Sequence, residues 1–197
     1  MTNGGLARVL ADLSAEVTRI DLAAARLDRV VRVARDVLGV DSVGMLLLDE
    51  DEQLRTVATT GDAAEALERV QERLGLGPGV DCSRDRTVVA VDDLAAVPAY
   101  APLWHELGDR GVRAVLAVPV GMGHQHVGNL NSVRTEAYAW TESDVRTAAA
   151  FAELIADLLA LSSPGPSGSA PVTAGEGVEV LGHLHVVAPD QDAGSNS

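Results

Sequence analysis

The chain has 197 residues, 47% hydrophobic, 22% charged and only 3% aromatic, a length that buries one core of common domain size without disulfides or metal. Its 29 acidic residues face 15 cations, all of them arginine, for a formal net charge of −14, which excludes direct, charge-driven binding to nucleic acid or anionic membrane. A single cysteine, Cys82, excludes an internal disulfide and every cysteine-cluster zinc motif.

Residues 5–38 place Leu, Val and Ile at helical spacing with Arg and Asp between them, predicting one long or two consecutive amphipathic helices. Asp21 is a candidate cap for the second, and Gly39 a stop after it. The period then changes to that of strands at 42–48 (SVGMLLL) and 54–59 (LRTVAT), joined as a hairpin by the acidic turn 49–52. Residues 62–74 (DAAEALERVQERL) read as a helix closed by the glycines and proline of 75–79, which is read as a loop. A short strand follows at 87–91, then about two helical turns at 103–110. The best strand pair is 112–120 (VRAVLAVPV) with 127–133 (VGNLNSV), turning at 121–123. Thr141 with Asp144 has the spacing of a capping box ahead of the apolar stripe 145–161.

After Ser162 the composition breaks. SSPGPSGSAP reads as a linker and the last seven residues as disordered, with a strand or small hairpin expected at 178–187 between them. The organisation expected is therefore an N-terminal helix over 1–20, a domain over 21–162 and an acidic Gly/Pro/Ser-rich tail over 163–197. Helices interleaved with strand pairs, rather than strict alternation, predict an α+β fold with helices on the faces of an antiparallel sheet. No apolar run approaches the roughly 20 residues of a membrane-spanning helix, and the N-terminus lacks a basic-then-apolar signal pattern. A cytoplasmic location is the expectation.

Three strings in order carry a resemblance: LERVQERLGLGPGVDC (67–82), TVVAVDDL (87–94) and GVRAVLAVPVGMGHQHVGNLNSVRTEAYAWTESDV (111–145). Together they resemble a GAF domain, and most of all the GAF portion of actinobacterial regulators in which it precedes an RNA-binding ANTAR domain. The 35 residues after Ser162 are too few for ANTAR's further three-helix segment, so RNA-directed output is not expected from this chain. The VGxLN strand departs from the family pattern at Asn129, Ser132 and Val133.

The resemblance implies a central antiparallel sheet of about six strands, with N- and C-terminal helices packed together on one face and pairing with a second copy. It implies a non-catalytic sensory or regulatory domain that binds a small ligand or transmits signal through a helical homodimer to a protein signalling partner. The alternative is a ligand-free protein-interaction scaffold. By the same analogy a ligand pocket would lie between one sheet face and the loops of 76–110, lined by Val89, Val91, Leu103, Trp104, Val115, Ala117, Asn129 and Asn131. The residues themselves leave a choice at Asn129 and Asn131, which project to one strand face. A buried amide must be hydrogen-bonded, so each ties neighbouring loops or meets a ligand.

No cofactor is expected. Reduction of free methionine sulfoxide, an enzymatic use of the GAF fold, needs resolving cysteines that one thiol cannot supply, and no enzyme activity is expected. Cys82 beside Arg84 and Arg86 remains a redox candidate through a lowered pKa. GHQHV and GHLHV each place two histidines at strand spacing, so His124, His126, His183 and His185 form a remote metal candidate if the tail strand docks beside the hairpin. His105 beside Trp104 is a remote haem-ligand candidate. The turn at 75–79 lacks the lysine of a phosphate loop, and Asp92 and Asp93 read as caps.

Overall fold

A computed structural model of the chain describes residues 22–162 and 184–186. The helix expected over 1–20, the Asp21 cap and the rest of the tail lie outside the described residues. A first helix, α1, covers 22–38. The strands are β1 (Ser42–Leu48), β2 (Leu54–Thr59), β3 (Val88–Val91), β4 (Ala114–Met122), β5 (Gln125–Arg134) and β6 (Leu184–Val186). The remaining helices are α2 (Asp62–Leu74), α3 (Pro78–Asp85), α4 (Ala101–Leu107) and α5 (Glu142–Ser162).

The strands form one sheet in the order β2-β1-β5-β4-β3-β6. Pairings among β1 to β5 are antiparallel, as expected of the α+β reading, whereas β6 joins the β3 edge in parallel. Two apolar layers cover the sheet. On one face Leu27, Val31 and Ala34 of α1 and Val145, Ala148, Ala152 and Ile155 of α5 pack on Val43, Met45, Leu116, Val118 and Leu130. On the other, Leu67 of α2, Cys82 of α3 and Leu103 and Leu107 of α4 pack on Val89, Val91, Val115 and Ala117. The alternation of strand side chains sorts the two sets: even and odd positions of β4 belong to opposite cores.

Two sequence readings are corrected. Residues 78–85 form α3, not a loop, because Pro78 stands in its first turn, where its missing N–H costs nothing and its fixed φ suits a helix. Asp81 in that turn and Arg84 in the last complement the dipole. The second hairpin turns at 123–124, since Gly121 and Met122 still pair with His126 and Gln125 across a register shift.

The capping box at α5 forms. Asp144 N–H donates to Thr141 Oγ1 at 3.2 Å, and Thr141 N–H donates to Asp144 Oδ2 at 2.9 Å. Thr141→Ala removes the hydroxyl and leaves a first-turn donor unpaired, so it should lower stability by about 1 kcal/mol. The shift in urea midpoint at unchanged slope measures it.

Candidate functional site

Helix α2 explains the centre of the site. Ala64, Leu67, Glu68 and Gln71 are all buried and follow the i, i+3, i+4, i+7 spacing of a single helical face. Two of those four positions are polar, which an apolar core does not accept without partners. Here the partners come from β5. Asn131 Nδ2 donates to both oxygens of Glu68 at 2.8 and 3.0 Å, and to Asn129 Oδ1 at 2.9 Å. Gln71 Nε2 donates to Glu68 Oε2 at 2.8 Å, and Gln71 Oε1 accepts from the Gly79 N–H at 2.7 Å. Asn129 Nδ2 donates to the Gly79 carbonyl at 2.9 Å and to Ser83 Oγ at 2.8 Å. Ser83 Oγ in turn lies 3.0 Å from His126 Nε2. A chain of hydrogen bonds thus runs from a fully buried carboxyl to the protein surface.

Burial is the chief reason the Glu68 pKa is pushed up to about 8; the hydrogen bonds from Asn131 and Gln71 oppose the rise, and the nearby Glu72 carboxylate adds to it. Room for its side chain comes from β1: a Cβ on Gly44 would lie 2.2 Å from Glu68 Oε1. At the outer end, burial and Arg86 hold the His126 ring below the ordinary histidine range.

The eight residues expected to line a pocket all gather on this face. Val89, Val91, Leu103, Val115 and Ala117 are packed into its core with Trp104 against them. Asn129 and Asn131 are fully buried and tie β5 to α2 and α3. A groove of about 770 Å³ lies beside this face, bounded by the β1–β2 hairpin, α3 and the β4–β5 hairpin, and none of the eight lines it. Leu48, Leu54, Val80 and Val127 give it apolar walls; Ser83 and His126 give it a polar side.

The lowered pKa expected of the Cys82 thiol is corrected. The thiol is fully buried, and burial together with the Asp81 and Asp85 carboxylates pushes its pKa up rather than down. Arg84, expected to activate it, pairs instead with Asp81 and Asp85 at 2.8 and 2.9 Å. Of the histidine metal candidate, β4 and β3 lie between position 126 on β5 and position 185 on β6, and His183 lies outside the described residues. Among the described residues no group of three or more His, Cys, Asp or Glu side chains is placed to hold a metal. His105 is exposed on α4. Asp93 caps the turn after β3 and pairs with Arg113 at 2.8 Å, while Asp92 Oδ1 accepts from the Trp140 N–H at 3.2 Å.

Residues 24–160 match the family model described as GAF domain. The chain belongs to the GAF domain family. GAF domains are sensory and regulatory modules, and the solved structures share the fold of this one. The GAF region of a membrane protein from Geobacter sulfurreducens has TM-score 0.60 and 16% identity, covering 74% of this chain and 97% of that one. A domain of a two-component sensor histidine kinase from Sinorhizobium meliloti has TM-score 0.60 and 15% identity, covering 70% and 90%. A free methionine-R-sulfoxide reductase from Thermoplasma acidophilum has TM-score 0.58 and 19% identity, covering 71% and 93%. No curated protein matches the chain at a significant level.

Sequence reading missed Glu68, Gln71 and Ser83 in this GAF domain. The signal for the first two was present, two polar residues on the apolar stripe of an amphipathic helix. Ser83 carried no such signal, because it acts only once α3 exists. No helix among the described residues is long and apolar enough to cross a membrane.

Proposed function

We propose that this GAF domain is a non-catalytic regulatory module that works as a homodimer joined through α1 and α5. One observation carries the reading. Of the exposed large hydrophobic residues, Leu22, Val33, Val37, Leu154 and Leu161 lie on these two helices, and only Val57 and Leu74 lie elsewhere among the described residues. Val33 and Val37 are four apart, and Leu154 and Leu161 seven apart, so each pair forms a stripe along its helix. Both helices already bury an inner stripe on the sheet, and a second apolar stripe on a helix calls for a second partner. A like pair of helices from another copy offers the matching surface, giving a four-helix contact. Movement of α5 on the sheet would then carry a change of state on the opposite face to the assembly.

The test is the double variant Val37→Asp with Leu161→Asp. Both positions are exposed, at 61% and 78%, so the fold should survive, as circular dichroism will show. Sedimentation should give a dimer for the parent and a monomer for the variant. Identical assembly of the two sinks the reading.

A further inference from the structure

The groove between the two hairpins and α3 holds four charged residues, and their pairing leaves a pattern. Asp49 is held by Arg55 at 2.8 Å. Arg84 is held by Asp81 and Asp85. Glu52 and Arg86, by contrast, make no side-chain hydrogen bond or ion pair among the described residues, and both line the groove. They share a second property. Glu52, with φ 57°, and Arg86, with φ 55°, are the only non-glycine residues in the left-handed backbone region among the described residues. Glycine suits both turns better on conformational grounds. Instead the chain presents one carboxylate and one guanidinium, each strained and each unpaired, to one cavity. At Arg86 this backbone is the C-cap of α3, and at Glu52 it belongs to the turn between β1 and β2, so both charges are set at the groove's rim by the ends of ordered elements.

We propose that this groove binds a small zwitterion, a free amino acid with an apolar side chain, its carboxylate on Arg86 and its ammonium on Glu52. A planar guanidinium takes a carboxylate through two parallel N–H donors, and a carboxylate accepts from an ammonium. The apolar body packs on Leu48, Leu54, Val80 and Val127. A volume of about 770 Å³ falls in the range of small-molecule sites. A simple anion would meet Glu52 and a simple cation Arg86, so each is disfavoured by a residue that the zwitterion uses. The polar wall, Ser83 and His126, ends the hydrogen-bond chain from Glu68, so an occupant touches the network beneath α2. This proposal names the ligand of the regulatory reading, but it stands on the groove alone and does not require the dimer.

Calorimetry on the full chain tests it with L-leucine, L-methionine and L-phenylalanine, and with N-acetyl-L-leucine and L-leucinamide as controls. At least one free amino acid should bind, one per chain whatever the state of assembly. N-acetylation removes the ammonium and amidation the carboxylate, and each should weaken binding by about tenfold or more. Glu52→Gln should erase the discrimination against N-acetyl-L-leucine, and Arg86→Gln that against L-leucinamide. Both residues are exposed, and an unchanged thermal midpoint of the unliganded variants shows that the fold is intact. Absence of binding by all three amino acids at millimolar concentration overturns the proposal. So does full affinity in the Glu52→Gln/Arg86→Gln double variant. Loss of dimerisation with amino-acid binding intact leaves this site standing and refutes only the assembly.

Discussion

Gly128→Ala should lower stability by about 3 kcal/mol or more, among the largest effects of any single methyl group in this chain. A Cβ at this position would lie 2.1 Å from the Leu46 carbonyl oxygen, 2.8 Å from Leu47 Cδ2 and 2.9 Å from Leu47 Cα. Two of the three contacts are backbone atoms of the paired strand, so no side-chain rotation relieves them. β1 and β5 would have to part where Leu47 faces Gly128. That ladder also carries Asn129 and Asn131, so the hydrogen bonds to α2 and α3 would loosen with it. A urea titration should show the loss directly, and a change below about 1 kcal/mol would mean the two strands tolerate separation. The glycine in VGNLN is thus a requirement for close approach of two strands.

The second large effect is a dependence of stability on pH that one residue should abolish. Glu68 has a folded pKa pushed up to about 8 against an ordinary 4.5. For a group raised in this way the native state holds the proton that the unfolded chain releases, so the contribution is fully present below 4.5. It is lost progressively as pH rises to about 8, and above that no more is lost from this group. The span corresponds to on the order of 5 kcal/mol. Glu68→Gln should remove this slope, whatever it costs at low pH through an amide facing other donors. His126 works in the opposite sense and within the same span: its depressed ring costs stability as pH falls below the ordinary 6.5. Subtracting the variant's urea-derived stability from the parent's at each pH isolates Glu68. Equal slopes in the two proteins between those limits would mean that the carboxyl stays ionised in the fold.

The fold was legible where local pattern and tertiary packing agree. Alternation marked Ser42–Leu48 and Leu54–Thr59 to the residue, and the apolar stripe with Thr141 and Asp144 marked α5. Helix α3 was hidden because glycines at 75, 77 and 79 look like a loop, while Pro78 between them begins a helix. β6 was anticipated as a strand, yet its parallel seat on β3 pairs residues far apart in the chain, which no local pattern encodes.

The site was legible in one half. Asn129 and Asn131 stand out on an otherwise apolar strand, and the structure gives them the role of ties to Glu68, Gly79 and Ser83. Their partners on α2 come from a segment 60 or so residues away, and only the fold brings the two together. The Cys82 expectation failed for a related reason. Arg84 and Arg86 are close to it in sequence, but on a helix the thiol turns to the core while Arg84 turns outward to carboxylates. The charges of the groove were equally silent, since Glu52 and Arg86 matter through their left-handed backbone and their lack of partners.

The central claim is that the outer stripes of α1 and α5 are an interface between two copies. Sedimentation equilibrium of the unaltered full chain across micromolar concentrations tests it most directly. The expected mass is twice the 20.4 kDa of the chain, falling toward the monomer only on dilution. A single 20.4 kDa species throughout that range would contradict it.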